Sequence, residues 1–247
     1  KLIKSEQKLR TSLMKEKELG QLKSSFVSTA SHQFRTPLSI IQSNVGLLEM
    51  FANKMSKEEL ERHAKVTSRI TGAIAKMTKL MDNVLILGKL TSGNVHYNPK
   101  SLIVVGVCEQ LVEEFNDLTI EGRTISALII GEPYNVYLDP NLLTQVLANL
   151  INNAFKYSLG KKNPELVIDF RAKELVISVK DYGIGIPKAE ISNLFQPFFR
   201  ANNVTEIKGT GLGLSIAKEY VEINKGQIAV QSILGEGTCF EITFRKT

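Results

Sequence analysis

The sequence predicts an α-helical hairpin followed by an α/β two-layer sandwich. Apolar residues recur at helical spacing as far as about residue 94. After Asn98-Pro99, short alternating strands are interspersed with helices, which is typical of an α/β domain, here of about 150 residues. The chain has 247 residues, 43% of them hydrophobic and 23% charged. This composition indicates a globular chain of about one to two domains and excludes a disordered one.

The hairpin is predicted from two long helical patterns joined by a short polar loop. The first runs from Lys1 to about Phe51, and its residues 1–24 resemble an imperfect coiled-coil seam. The second begins after Ser56, which forms a capping box with Glu59, and ends near Ser92-Gly93-Asn94. Its apolar stripe consists of Val66, Ile70, Ile74, Met77, Leu80 or Met81, Val84 and Leu87.

A hairpin of this length has too little area to bury both apolar stripes by itself. We therefore expect a homodimer in which two hairpins form a four-helix bundle. The predicted domains are a coiled-coil signalling helix at 1–24, a dimerisation domain at 25–94 and an α/β domain at 95–247.

The first helix carries an apolar stripe, and His32 lies opposite to it. At about 100° per residue, His32 points about 170° away from the centre of the stripe, so we expect it to face solvent. A nucleophile needs such access, although an exposed helical histidine is usually only a solvated side chain. Pro37 is expected to kink the helix one turn after His32. The stripe comprises Phe26, Ala30, Phe34, Pro37, Ile41, Val45 and Leu48, and the outer face Ser28, Arg35, Thr36, Ser39 and Ser43.

The α/β domain is predicted to contain three helices, several strands and one long irregular segment. The segment 187–208 is too long for a simple connection, and we interpret it as a mobile lid. The helices are predicted around Glu109–Glu114, at Pro140–Tyr157 and from Gly213 to about Asn224, and the strands at 125–130, 135–138, 166–170, 175–179, 227–232 and 238–244.

Composition and charge narrow the range of functions. Cys108 and Cys239 are far apart and lack metal-ligand spacing, so we expect a reducing, cytoplasmic location and no disulfide framework. The net charge is +6, but the basic residues are interleaved with glutamates and tryptophan is absent, which argues against nucleic-acid binding. The chain has no apolar run long enough to cross a bilayer and begins with Lys1 rather than Met. We expect a further part of the protein upstream, and any membrane anchor would also lie there.

Two glycine clusters flank the irregular segment. The run 181–186 (Asp-Tyr-Gly-Ile-Gly-Ile) follows a predicted strand, and the run 209–214 (Gly-Thr-Gly-Leu-Gly-Leu) opens a predicted helix. Glycines let the backbone approach a phosphate, and a helix N-terminus attracts an anion. Neither cluster is a Walker A loop or a dinucleotide fingerprint, and either alone would fit an ordinary turn.

The helix at 140–157 places three polar side chains towards a common face. Asn149, Asn153 and Lys156 follow one another at spacings of four and three. An amide oxygen is a suitable ligand for Mg²⁺, and a lysine is a point charge for a phosphate. Solvated surface is the alternative, but apolar neighbours such as Leu150 and Ile151 indicate that the amides border a core.

The segment Phe26–Leu38 resembles the phospho-acceptor box of two-component sensor histidine kinases. It contains Ser-His-Gln-Phe-Arg-Thr-Pro-Leu, whereas the family usually has Ser-His-Glu-Leu-Arg-Thr-Pro-Leu. The resemblance implies that His32 accepts phosphate, that Gln33, Arg35 and Thr36 belong to the catalytic set, and that Thr36 orients water for dephosphorylating a partner. Because the glutamine oxygen of Gln33 cannot take a proton, we expect slower autophosphorylation than with glutamate. His63 and His96 lack such surroundings.

The region 95–247 resembles the ATP-binding domain of the same kinases, which has the Bergerat-type fold of DNA gyrase, mismatch-repair and chaperone ATPases. The segment Asn149–Ser158 matches the family's Asn box, and Phe195–Arg200 matches its Phe box. The resemblance implies Asn153 as the Mg²⁺ ligand and Arg200 as a contact of the terminal phosphate. The remaining implied nucleotide contacts are Asn149 and Lys156 at the phosphates, Tyr157 and Asp181 at the adenine with Thr238 supporting Asp181, and Gly183, Gly185, Ile186, Phe198, Lys208, Gly209, Thr210, Gly211, Leu212, Gly213 and Leu214.

The resemblance implies an ATP- and Mg²⁺-dependent kinase that autophosphorylates His32, and it implies an upstream sensor domain outside this chain. The phosphoryl group would pass to an aspartate of a response-regulator receiver domain, and Thr36 is compatible with phosphatase activity towards that regulator. Two alternatives stay open. A catalytically weak, nucleotide-gated dimeric scaffold is favoured only by Gln33, and another ATPase of the shared fold would leave His32 without a role.

Overall fold

A computed structural model describes residues 34, 36–48, 57–91, 95–118, 122–205, 207 and 209–246. The chain divides into two compact units, Lys1–Leu85 and Ile86–Thr247. This division lies inside the second helix, nine residues before the predicted boundary at 94/95, which stays a prediction. Several predicted features lie outside the described residues: the seam at 1–24, the box residues His32, Gln33 and Arg35, the kink after His32, the stripe and outer-face residues Phe26, Ser28 and Ala30, the capping residue Ser56, and Lys208.

The first unit contains helix α1, residues 36–48, and most of helix α2, Lys57–Thr91. The predicted bounds of the second helix are confirmed. The residues that α2 buries follow a seven-residue spacing, Val66, Ala73 and Leu80. Of the two predicted alternatives, Leu80 is buried and Met81 is half-exposed. Ile74, another member of the predicted apolar stripe, is also half-exposed.

The buried side of α1 differs from the predicted stripe at one position. Pro37 is buried as predicted, but Asn44 is buried where Val45 was expected, and Val45 is exposed. The reason is the spacing of the inward positions, which rotates Asn44 inwards and Val45 sideways. The Asn44 Nδ2 atom donates a hydrogen bond to the carbonyl of Ile40 at 2.7 Å. Its Oδ1 atom is buried without a partner.

The second unit is an α/β domain in which three helices pack on one face of a mixed sheet. Its described elements are β1 Lys100–Leu102, α3 Val105–Asp117, β2 Ser126–Ile130, β3 Val136–Leu138, α4 Pro140–Tyr157, β4 Glu165–Phe170, β5 Glu174–Asp181, α5 Gly213–Ile223, β6 Gln227–Ile233 and β7 Gly237–Arg245. Within this described part, the sheet has five strands in the order β2-β4-β5-β7-β6, and only the β2–β4 pair is parallel. A small antiparallel pair, β1–β3, includes β1, a short strand that the sequence did not predict.

One row of isoleucines crosses the whole sheet on its helix-covered face. Strand register aligns them in the spatial order Ile129, Ile168, Ile177, Ile242 and Ile228. The three central members are completely buried, whereas Ile129 on the edge strand is exposed. β-branched side chains pack well against one another on a pleated surface, so this row forms the part of the core that the sheet contributes.

The apolar alternation ends in polar residues on three adjacent strands. On the helix-covered face, Val179 and Phe240 are succeeded by Asp181 and Thr238, and Val230 is succeeded by Ser232. Asp181, Thr238 and Ser232 lie opposite one another in the sheet register. At this end of the sheet the apolar core therefore ends in three polar residues, Asp181, Thr238 and Ser232, which we call the polar row. The polar row marks the position of the candidate site.

Candidate functional site

Helix α4 presents two amide side chains that are hydrogen-bonded to each other. Asn153 Nδ2 donates to Asn149 Oδ1 at 3.0 Å, and both side chains are half-buried. This bond uses the amide nitrogen of Asn153 and leaves its Oδ1 atom available as a hard oxygen ligand. A single amide oxygen fits Mg²⁺ when phosphates and water supply the other ligands, which is the usual arrangement for this ion.

Both ends of α4 are fixed by buried charged residues. At its start, Asp139 caps the helix by accepting from the backbone N–H groups of Asn141 and Leu142. At its end, the guanidinium of Arg123 donates to the carbonyl of Phe155 at 2.8 Å and to the carbonyl of Ser158 at 2.8 Å. Cationic donors suit the carbonyl end of a helix, so these contacts fix the last turn, which carries Lys156 and Tyr157.

Asp181 is the charged member of the polar row, and it is 5% exposed. Its Oδ1 atom accepts from the backbone N–H of Gly183 at 2.8 Å. Burial raises the pKa of Asp181 to about 6, although backbone hydrogen bonds from Gly183 and Thr238 oppose the rise. Thr238 was expected to support Asp181, and this contact is made by its backbone. The Thr238 hydroxyl lies 3.0 Å from Ser232 Oγ.

The first glycine cluster packs tightly between α4 and the β6–β7 turn. A Cβ atom on Gly183 would collide with the carbonyl oxygen of Tyr157. The backbone N–H of Ile184 donates to that same carbonyl at 3.2 Å. Gly185 has a φ of +63°, and a Cβ there would collide with the carbonyl of Ile233. Only glycine therefore allows the close backbone approach that joins this loop to α4 and to the turn.

Two cationic side chains converge on Gly209. A Cβ atom built on Gly209 would lie 2.9 Å from Lys156 Nζ and 4.0 Å from Arg200 Nε. Lys156 Nζ also donates to the Tyr157 hydroxyl at 3.0 Å. The guanidinium Nη2 of Arg200 donates to the carbonyls of Val204 and Ile207, and its buried Nε has no partner among the residues that the structure describes. The space beside Gly209 is therefore suited to an anion.

The start of α5, in the same glycine cluster, adds backbone donors. No side chain caps this helix, in contrast to α4, so its first N–H groups remain available to an anion. A Cβ atom on Gly213 would collide with the side-chain amide of Asn149. Gly211 has a φ of +73°, and its carbonyl accepts from the backbone N–H of Phe198 at 2.9 Å. The second glycine cluster thus lies between α4 and the Phe198 segment.

The structure brings most of the predicted nucleotide residues together in two groups. One group contains Asp181, Thr238 and the first glycine cluster, and the other contains Asn149, Lys156, Arg200 and the second glycine cluster. The segment after Pro187, predicted to be irregular, contains two 3-10 helices, Lys188–Asn193 and Asn202–Val204. Thr36 is exposed on α1, in the first unit. Among the described residues, no cluster of three or more histidine, cysteine, aspartate or glutamate side chains could hold a metal ion.

Sequence reasoning missed two residues of this site, Ser232 and Arg123. Ser232 could have been found, because it interrupts the apolar side of a strand after Ile228 and Val230. Arg123 gives no such signal, since a single arginine in a loop resembles any exposed cation. Its importance follows only from its burial beneath the end of α4.

Comparison with known proteins connects the two units to one family. Residues 22–93 match the model of the His Kinase A (phospho-acceptor) domain. Residues 138–247 match the model of the histidine kinase-, DNA gyrase B- and HSP90-like ATPases. The chain belongs to the histidine kinase family. Its resemblance to a two-component histidine kinase core, with a helical hairpin followed by an α/β ATPase domain, is thereby confirmed.

Individual histidine kinases resemble most of the chain. The sensor histidine kinase WalK of Bacillus subtilis is 33% identical over 232 residues, which are 92% of this chain and 37% of that kinase. The crystal structure of the histidine kinase ThkA in complex with the response regulator protein TrrA gives a TM-score of 0.70 at 19% identity, covering 94% of this chain and 64% of that one. The crystal structure of full-length ShkA in complex with AMPPNP gives a TM-score of 0.64 at 24% identity, and the match covers 87% of this chain and 44% of that one.

The structural likenesses show the shared histidine kinase fold. The chain spans about a third to about a half of the length of the curated relatives it matches. Among the described residues, none of the helices combines the length and apolar character needed to span a bilayer.

Proposed function

We propose that this histidine kinase core binds ATP with Mg²⁺ and transfers the γ-phosphoryl group to His32. One observation carries the proposal: Lys156 and Arg200 converge beside Gly209, and the uncapped start of α5 follows in the same glycine cluster. Cations and helix N–H groups suit the phosphates. A buried acceptor such as Asp181 suits an exocyclic amine of a purine.

His32 is suited to nucleophilic attack because neutral imidazole has an available lone pair. An unperturbed histidine has a pKa near 6.5, so no deprotonation is needed at neutral pH. Phosphoryl transfer passes through a loose transition state, and catalysis depends on positioning and on charge stabilisation. Lys156 and Arg200 supply that charge. Both carbonyl contacts of Arg200 use Nη2, and its Nε atom has no hydrogen-bond partner within the described part of the chain.

Asn153 is the residue that would hold Mg²⁺, through its Oδ1 atom. The bound ion would neutralise charge on the phosphates during transfer. Asn149 fixes the orientation of the Asn153 amide through their hydrogen bond. Gly213 lets Asn149 occupy its place, because any larger residue there would displace the amide.

The phosphoryl group is then expected to pass to an aspartate of a response-regulator receiver domain. The solved complex of ThkA with the response regulator protein TrrA supports this partner class. Thr36 is exposed on α1, where a docked regulator could reach it. If Thr36 orients water for dephosphorylation, Thr36→Ala should lower phosphatase activity by at least tenfold and leave autophosphorylation near the unmodified rate, on the order of other single catalytic contacts. The opposite pattern would contradict this role.

The proposed homodimer is supported by exposed apolar residues on the two helices. Leu38 and Val45 on α1, and Ile74 and Met81 on α2, are each 41% to 50% exposed and are spaced by seven residues. Such a repeat forms a seam that a second hairpin would cover. Met81→Glu should therefore shift the sedimentation profile towards monomer. Leu128→Glu, at an exposed apolar residue of the sheet, is the matched control and should leave the profile unchanged.

The central test uses ATP labelled on the γ-phosphate and the complete chain. We expect an acid-labile, base-stable label on the protein that is absent in His32→Ala. Retained label in His32→Ala would refute the assigned acceptor. ATP binding without any label would favour a nucleotide-gated scaffold, and release of labelled phosphate without a labelled protein would indicate a simple ATPase.

A further inference from the structure

Ser232 lies at the centre of a small hydrogen-bond network beside Asp181. Its Oγ atom accepts from the backbone N–H of Ile186 at 2.9 Å and donates to the carbonyl of Gly237 at 2.8 Å. It also lies 3.0 Å from the hydroxyl oxygen of Thr238. Ser232 thus connects the first glycine cluster to the β6–β7 turn and to the residue opposite Asp181 in the sheet register.

The number of protons in this network fixes the direction of each hydrogen bond. A serine hydroxyl has one proton and two lone pairs. The carbonyl of Gly237 can only accept, so the Ser232 proton is committed to it. The N–H of Ile186 occupies one lone pair of Ser232. The remaining lone pair can only receive the hydroxyl proton of Thr238, which makes Thr238 the donor in the 3.0 Å contact.

This assignment leaves the Thr238 oxygen as an acceptor. Its only proton points towards Ser232, so only lone pairs remain for a ligand. The nearby Asp181 carboxylate also accepts hydrogen bonds, as its contact with the N–H of Gly183 shows. The polar row therefore presents acceptors, and no side-chain donor, towards the site.

We propose that Ser232 is a positioning residue that fixes the Thr238 hydroxyl as an acceptor and thereby favours a purine with a 6-amino group over one with a 6-oxo group. The inference rests on the proposed nucleotide binding at this site. An amino group donates to acceptors, whereas an oxo group needs a donor. A site whose polar groups are left unpaired by the wrong ligand rejects that ligand.

Removing the Ser232 hydroxyl should relax this discrimination. In Ser232→Ala, the Thr238 hydroxyl is free to rotate and can donate to an oxo group. We expect the preference for adenosine diphosphate over inosine diphosphate to fall about tenfold, which corresponds to about 1.4 kcal/mol. Ser232→Thr retains the hydroxyl and should keep the preference within about twofold of the unmodified chain, as expected when the same hydrogen bonds form.

The experiment measures both dissociation constants by displacement of a trinitrophenyl adenine nucleotide from the complete chain. The decisive comparison adds Ser232→Ala to the Thr238→Val variant, which lacks the hydroxyl that Ser232 is inferred to orient. Thr238→Val alone should reduce the preference, and adding Ser232→Ala should then change it no further. This prediction can be tested with Thr238→Val and Ser232→Thr even if Ser232→Ala folds poorly.

Two results would overturn the inference while leaving nucleotide binding intact. One is an equal loss of affinity for both nucleotides in Ser232→Ala, because a purely structural role of Ser232 would not change the ratio. The other is an unchanged preference in Thr238→Val. Failure of the unmodified chain to bind adenosine diphosphate at all would instead refute the proposed function, and the inference with it.

Discussion

Burial of Asp181 should make the stability of the α/β domain depend on pH. The pKa of Asp181 rises from 3.8 to about 6 on folding because the carboxylate is removed from water. Between these values the folded domain holds a proton that the unfolded chain has released. This contribution to stability is fully present below about pH 4 and is lost as the pH rises through about 6. The difference between the two pKa values corresponds to about 3 kcal/mol of unfolding free energy.

Asp181→Asn provides the comparison, because the amide stays neutral at every pH. Between pH 4.5 and 7.5, the stability of the unmodified chain relative to the variant should fall by about 2 of those 3 kcal/mol, since part of the change already lies below pH 4.5. Urea unfolding at each pH would be followed by pulsed hydrogen exchange in peptides from β5 and β7, so that the hairpin does not contribute. A difference that is constant with pH, or that changes in the opposite direction, would refute the reasoning. The same variant should bind adenine nucleotide more weakly.

Three further substitutions test the frame of the site and the acceptor box. Arg123→Met removes buried cationic hydrogen bonds from the end of α4 and should lower the unfolding free energy by about 3 kcal/mol in the same urea assay; a loss below about 0.5 kcal/mol, typical of a surface change, would contradict the assigned contacts. Gly213→Ala should weaken binding of adenosine diphosphate about tenfold by displacing Asn149, a loss on the order of one well-placed hydrogen bond. Gly72→Ala is the control, because a Cβ atom at this helix position would meet nothing within 4 Å, and it should leave the affinity for adenosine diphosphate unchanged. An equal loss of affinity in both variants would refute the role assigned to Gly213. Gln33→Glu should raise the initial rate of autophosphorylation with labelled ATP, because glutamate can accept a proton; equal rates would show that this position makes no general-base contribution.

The helices and strands of the α/β domain were largely predictable because their patterns are local. Pro140–Tyr157 was predicted with the observed bounds, since a carboxylate cap and a proline mark its start. The strand ends were also predicted to within two residues, because apolar alternation extends through most of each strand; in β5 it stops at Val179, two residues before the strand ends at Asp181. The short strand Lys100–Leu102 was missed because three residues are too few to show a period.

The parts that the sequence could not predict depend on contacts between distant segments. Arg123 reaches residues more than 30 positions along the chain, and no local pattern indicates this. In the hairpin, a helical wheel at fixed pitch put Val45 in the apolar stripe but gave no reason to expect that the polar Asn44 would be the buried residue. The convergence of Lys156 and Arg200 on Gly209 likewise requires the fold.

The anchoring of α4 at both ends has a consequence for motion in the domain. Asp139 also accepts from the backbone N–H of Asn98, and its own N–H donates to Asn224, so the cap joins three parts of the chain. A helix that is hydrogen-bonded at both ends in this way is expected to be rigid. Entry and exit of a ligand must then deform the short 3-10 turns between Pro187 and Leu212, and amide protons there should exchange with solvent long before those of α4.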